Sequence, residues 1–145
     1  MSRRALVFLD ACVLMAAAHS PSGGSALVIE ICRGLHFKAA VTVKLLLEAR
    51  VNIAEKFGEP ELVRFYQLLA DLDPEMVLPP IIEKLNQIES LVTPKDRHVL
   101  AAALQCSADY LITLDRRHFM TPVLQAAGLS VKILTPGDFL KAIVN

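Results

Sequence analysis

The chain has 145 residues, with 15 Lys and Arg against 15 Asp and Glu. That length makes one domain, residues 1–145, with room for a real core, and the zero net charge leaves any pull on a polyanion to local clusters. Cys12, Cys32 and Cys106 are odd in number and form no Cys-x-x-Cys pair, which excludes a disulfide framework or a thiolate zinc site and leaves buried, reduced thiols as the expectation.

Ala5 to Leu9 reads as a first strand that ends at Asp10. Arg3 and Arg4 precede it, but the apolar run is too short for a signal peptide and Asp10 interrupts it, so a cytoplasmic protein is expected. The chain is 54% apolar, with a mean hydropathy of +0.46, yet no stretch approaches the ~18 apolar residues of a membrane span. A parallel sheet covered on both faces accounts for the excess. Ala11 to Ala18 is helix-compatible and stops at the turn cluster His19–Gly24. Ser25 to Leu35 reads as a second helix, with Leu27, Ile31 and Leu35 on one face.

Phe37 to Thr42 is the second strand candidate, and Thr42 can cap a helix over Val43–Phe57 that Gly58 closes. Glu48 lies inside that helix. Glu59-Pro60-Glu61 opens another, to about Leu72, with Leu62, Phe65, Tyr66, Leu69 and Leu72 on one face and an acidic first turn that suits the helix dipole. Glu75 to Leu78 is a short strand before Pro79-Pro80, and Ile81 to Leu91 is helical, with Ile81, Leu85 and Ile88 aligned. Thr93 as N-cap, Pro94 at N1 and Asp96 at N3 start a helix to about Ser107. Tyr110 to Leu114 is a buried strand that runs straight into Asp115. A helical stretch over Pro122–Ala127, a strand over Val131–Leu134 and a helix over Gly137–Val144 complete the chain. The alternation predicts a three-layer α/β/α sandwich around a mostly parallel sheet.

Four acids stand where such a sheet has its binding edge. Asp10 and Asp115 each end a strand, Asp96 opens the helix that leads into the Asp115 strand, and Glu48 lies on the helix after strand two. Ligands of open parallel sheets bind outside the carboxyl ends of the strands. At roughly 5 Å and an effective dielectric of about 20, each pair of carboxylates repels by about 3 kcal/mol, so some must be protonated or a cation must neutralise them. Hard oxygen donors favour Mg²⁺ or Mn²⁺, and such a cluster suits metal-assisted phosphodiester hydrolysis. Each acid also has a plain reading: Asp10 as a helix cap, Glu48 as the i,i+4 partner of Lys44, Asp96 as a first-turn acid, Asp115 as a turn acid. Asp109, before the strand, reads as a loop-fixing residue. Thr113 points to the same side as Asp115, where it would meet water carried by an ion or be an ordinary strand threonine. Lys95, Arg97, Arg116 and Arg117 are candidates for phosphate contact or for a solvated rim. His98 and His118 lack ligand spacing in the sequence and are assigned neither metal nor proton chemistry.

Three segments resemble the PIN-domain family. They are Ala5–Leu14 with the first acid, Leu45-Leu46-Leu47-Glu48-Ala49, and the long stretch Pro94–Leu104 followed by Ala108–Asp115. Ile133–Leu140 is similar to the closing strand and helix of one branch. The resemblance implies a five-stranded sheet in order 3-2-1-4-5, an acidic quartet Asp10, Glu48, Asp96 and Asp115 binding Mg²⁺ or Mn²⁺, and endoribonuclease activity on single-stranded or structured RNA. It also implies a VapC-like toxin with an antitoxin partner, and a homodimer. Cys12 stands where the family often has Ser or Asn, and Leu114 where it often has Gly. The alternative left open is a non-catalytic nucleic-acid-binding or scaffold domain of the same fold. A receiver domain is disfavoured because strand three ends in Leu78-Pro79-Pro80, and a haloacid-type phosphatase because Asp10-Ala11-Cys12 lacks its second acid.

Overall fold

The computed structural model describes residues 3–144. Five strands, β1 (Ala5–Leu9), β2 (Phe37–Val41), β3 (Glu75–Met76), β4 (Tyr110–Ile112) and β5 (Lys132–Leu134), form one sheet in the order β3-β2-β1-β4-β5. Every neighbouring pair is parallel, with Leu9 opposite Ile112 and Leu6 opposite Lys38. The sheet order and the α/β architecture match the expectation; the sheet is parallel throughout rather than mostly so.

The core explains why. Successive strand residues point to opposite faces, yet Val7, Phe8 and Leu9 are all fully buried, as are Ala39, Ala40 and Val41. Both faces of β1 and β2 are therefore covered, which is the condition a parallel sheet requires. Helices α1 (Ala11–His19) and α2 (Gly24–Ile31) turn by 109° at the intervening loop, and both contribute apolar side chains to the core. Among the described residues no single helix is long and apolar enough to cross a membrane.

Helix α3 (Val43–Lys56) starts where Thr42 accepts the Leu45 amide at 3.2 Å, and α4 (Glu59–Leu72) carries Pro60 and two glutamates in its first turn. Helix α5 is shorter than expected, Ile82–Gln87: Gln105 holds the chain before it at the Pro79 carbonyl and the Ile81 amide, and turns bonded from Glu89 to Asn86 and from Leu91 to Ile88 replace its expected end. Pro94–Asp96 forms a 3-10 turn that leads into α6 (Arg97–Gln105). The sequence did not foresee α7 (Arg116–Phe119), a single turn capped by Asp115; α8 (Pro122–Ala126) and α9 (Pro136–Ile143) follow. Helix α2 also departs from expectation. It ends four residues before Leu35, which is 86% exposed, and buries Ser25, Val28 and Ile29 instead of the Leu27 face. The tight turns Arg33 to Glu30 and Gly34 to Ile31 end it.

The strand order reverses between β1 and β4. The chain lays β2 and β3 on one side of β1, then returns to place β4 and β5 on the other. Such a switch point leaves a crevice at the carboxyl ends of the two central strands.

Candidate active site

Asp10 and Asp115 stand at that crevice because each follows a central strand. The Asp10 amide bonds to the Ile112 carbonyl at 3.0 Å, which ties the ends of β1 and β4 together. Asp10 caps α1, its Oδ1 accepting the Ala11 amide at 2.8 Å, and its Oδ2 accepts the Thr113 hydroxyl at 2.8 Å. Thr113 is fully buried, and the same hydroxyl accepts the Asp115 amide at 3.1 Å. One threonine thus holds both strand-end acids in place. Cys12 adds a long thiol contact to Asp10 Oδ2, at 3.5 Å, and accepts the Leu114 amide at 3.4 Å. Burial and the nearby Asp10 push its thiol up to about 11, so it stays protonated and fills the Ser or Asn position as a weak donor.

Asp96 is buried, and its Oδ2 accepts the Thr93 hydroxyl at 2.7 Å. Thr93 therefore does not cap the helix backbone as expected; it orients the acid. Glu48 lies on α3 with its Oε1 3.1 Å from His98 Nε2 rather than paired with Lys44. Asp115 Oδ1 accepts the His118 amide at 3.1 Å, and its Oδ2 lies 2.7 Å from His118 Nδ1.

Asp10, Glu48, Asp96 and Asp115 all line one open cleft of about 470 Å³, with Cys12, Lys95 and His98 between them. The tightest group is different from the quartet. Ligand atoms of Asp96, Asp115 and His118 all lie within 4.8 Å of one another, and Asp10 and Glu48 stand outside that group. The ring of His118, discounted on sequence spacing, faces both carboxylates. The signal was present: with Asp115 as N-cap, position 118 is N3, whose side chain reaches back to the cap.

The electrostatics follow from this crowding. Burial raises the Asp10 carboxyl above its ordinary 3.8; the Thr113, Ala11 and Cys12 donors oppose the rise and the charge of Asp96 adds to it. Glu48 is also raised, first by burial and then by Asp96, against the pull of Lys44 and Lys95. Partial burial would raise Asp115 too, but the two His118 hydrogen bonds, the charge of that ring and Lys95 together outweigh it and bring the carboxyl below 3.8. His98 is lowered by burial and by Lys44, with Asp10 and Asp96 acting against the shift. The ion-pair partners of these acids are histidines, His98 for Glu48 and His118 for Asp96 and Asp115. Oxygen donors in excess of compensating charge suit a hard divalent cation, so the residues fit the ion that the sequence reading expects.

The candidate phosphate contacts are less concentrated. Lys95 lines the cleft. Arg97 does not: its Nε donates to the Glu89 carbonyl at 3.2 Å, in a hollow beyond His98. Arg116 and Arg117 are exposed on α7, and Arg116 borders another hollow beside Gly24 and Pro136. Asn52 and Lys56 reach the cleft unforeseen, although they continue the Glu48 face of α3 at i+4 and i+8. His19 and Phe57 close that end as a stacked pair, 4.1 Å between ring centres. Asp109 accepts the Leu6 amide at 2.7 Å and pairs with Arg3, tying the start of β4 to β1 away from the cleft.

No curated protein matches the sequence. Among solved structures, the chain is similar to VapBC2 from Rickettsia felis bound to a DNA fragment from their promoter, at TM-score 0.62 and 14% identity, covering 88% of this chain and 98% of that one. It is similar to FitAcB from Neisseria gonorrhoeae at TM-score 0.61 and 16% identity, covering 90% and 98%. A structure of FitAB bound to an IR36 DNA fragment follows at TM-score 0.60 and 17% identity, covering 90% and 94%. At such identities the likeness speaks for the fold. The sequence itself meets a family model, described as PIN domain, over residues 6–117. That span starts in β1 and runs through all four acids into α7, and by it the chain belongs to the PIN-domain family.

Proposed function

We propose that the chain is a Mg²⁺- or Mn²⁺-dependent endoribonuclease, with Asp10, Glu48, Asp96 and Asp115 as the residues that hold the ion. The observation that most supports this reading is the convergence of these carboxylates, from separate elements, on one open cleft. PIN domains are in general nucleases, which carries the coarser assignment of a hydrolase. Held by these carboxylates, a divalent ion would supply a lowered pKa for an attacking water and would offset charge on the leaving oxygen. The chain's own part is positional. Thr113 and Thr93 hold Asp10 and Asp96, while the His98 ring holds Glu48 close to the reacting phosphate. Lys95 and Lys56 contact the backbone of the substrate, and Arg97, in the adjoining hollow, meets a flanking phosphate. The cleft is open, which suits a strand that can be threaded through it. The family likeness and the VapBC2 and FitAB neighbours support a toxin role with an antitoxin partner. A homodimer fits the outer stripe of α3, where Val43, Leu47 and Val51 are all exposed at i, i+4 and i+8; Leu47→Glu is expected to give a monomer in sedimentation.

The test is cleavage of a panel of single-stranded and structured RNAs with Mg²⁺, Mn²⁺ or EDTA, wild type beside Asp115→Asn. Cleavage that needs the metal and falls by at least about 100-fold in the variant is expected. Metal-independent cleavage, or an active variant, would refute the assignment. A folded wild type that retains RNA without cutting it would be a binding or scaffold domain.

A further inference from the structure

The geometry points to His118 as a direct ligand of the metal, through Nδ1, so that the site is a mixed nitrogen and oxygen site rather than an all-carboxylate one. This rests on the metal-site reading above and deepens it. His118 Nδ1 lies 2.7 Å from Asp115 Oδ2 and 3.9 Å from Asp96 Oδ2. Around a six-coordinate ion with bonds of about 2.1 Å, neighbouring donors stand ~3.0 Å apart and opposite donors ~4.2 Å apart. Both distances from Nδ1 lie close to those values, and the three residues form the set whose ligand atoms all lie within 4.8 Å of one another.

The environment of each donor agrees. Asp96 is 6% exposed and Thr93 donates one hydrogen bond to its Oδ2, which leaves that oxygen a second lone pair for an ion. The His118 ring is held by its own helical turn, since its backbone amide bonds to Asp115 Oδ1. Ligation through Nδ1 would need that nitrogen free of a proton, with the proton of the neutral ring on Nε2.

The consequence is metal selectivity. Carboxylate oxygen serves Mg²⁺ and Mn²⁺ alike, whereas an imidazole nitrogen favours the later first-row ions in the order Mn²⁺ < Co²⁺ < Ni²⁺. The chain is expected to bind Co²⁺ far more tightly than Mg²⁺, with Mn²⁺ between them. The alternative role for His118 is a hydrogen bond that merely holds Asp115, and the test separates the two.

The experiment is calorimetric titration of the full chain with Mg²⁺, Mn²⁺ and Co²⁺, alongside the visible spectrum of the Co²⁺ form. His118→Ala removes both roles, and His118→Asn keeps a side-chain donor but no imidazole. The expected result is a loss of about 100-fold in Co²⁺ affinity in both variants, a change of less than about threefold for Mg²⁺, and a shifted Co²⁺ spectrum. Unchanged Co²⁺ preference in both variants, or its rescue by Asn, overturns ligation by His118 and leaves the carboxylate site standing. Asp96→Asn, expected to weaken all three ions, checks the site itself. A wild type that binds none of them overturns the metal reading as well as this one.

Discussion

Asp10 illustrates how much a single residue is asked to do at this edge. Its two oxygens accept three donors, yet burial still raises its pKa. A carboxyl with a raised folded pKa binds more protons in the folded state, so stability is lost as pH rises from 3.8 through the raised value. Glu48 acts in the same direction above 4.5, while the lowered Asp115 acts oppositely, losing stability as pH falls below 3.8. Metal-free protein is therefore expected to lose stability as pH rises just above about 4 in urea titrations, until the lowered His98 acts the other way on the approach to 6.5. Asp10→Asn should flatten that slope. Because Asn is as good a cap as Asp, this variant should also fold at least as stably, by about 1 kcal/mol at neutral pH, while losing cleavage. A destabilised Asp10→Asn would show that the carboxylate is a structural group. Thr113→Val is predicted to act the other way. It strips a buried hydroxyl from two acids and should cost about 1–3 kcal/mol, read from the urea midpoint.

At the scale of elements, the acids are only as well placed as the helix starts beneath them. Helix α3 brings Glu48 to the cleft because Thr42 caps it at the end of β2 and buries Leu45, Ala49 and Ile53 against the core. Thr42→Ala should cost about 1 kcal/mol, and the loss of activity should follow from a loosened Glu48. Circular dichroism with titrated urea would show the first effect; a stability equal to wild type would mean that packing, not the cap, sets where α3 begins. Capping was legible in the sequence at Thr42 and Asp10, where a short polar residue precedes an apolar helix. At Thr93 the pattern misleads, since the hydroxyl turns to Asp96 instead of the backbone. At Asp115 one turn of helix is too short to leave a periodic pattern. Which face of α2 is buried is not legible, because an almost wholly apolar helix has no polar side to mark which way is out.

For the molecule as a whole, the candidate site lies on the sheet's switch point, so an ion bound there would be coupled to folding. An ion that binds only the folded chain at 100 times its dissociation constant stabilises it by about 2.7 kcal/mol. Mn²⁺ should raise the thermal midpoint of wild type, EDTA should reverse it, and Asp10→Asn should respond weakly. An equal shift in that variant would place the ion elsewhere.

What local chemistry determines, the sequence by itself supplied. Strands of successive buried residues implied a covered parallel sheet, and acids directly after Leu9 and Leu114 lay at its binding edge. Segment order then carried the family resemblance, and with it the strand order 3-2-1-4-5. Tertiary structure alone decided which donors meet. Asp96 and His118 come within 3.9 Å only because α6 packs back along β4, so the start of the helix and the turn after the strand meet at one crevice. It also decided that Arg97 turns to the Glu89 carbonyl and that Arg116 faces another hollow. Backbone propensities act over a few residues, whereas ligand spacing and the direction of a long side chain depend on neighbours brought from far along the chain.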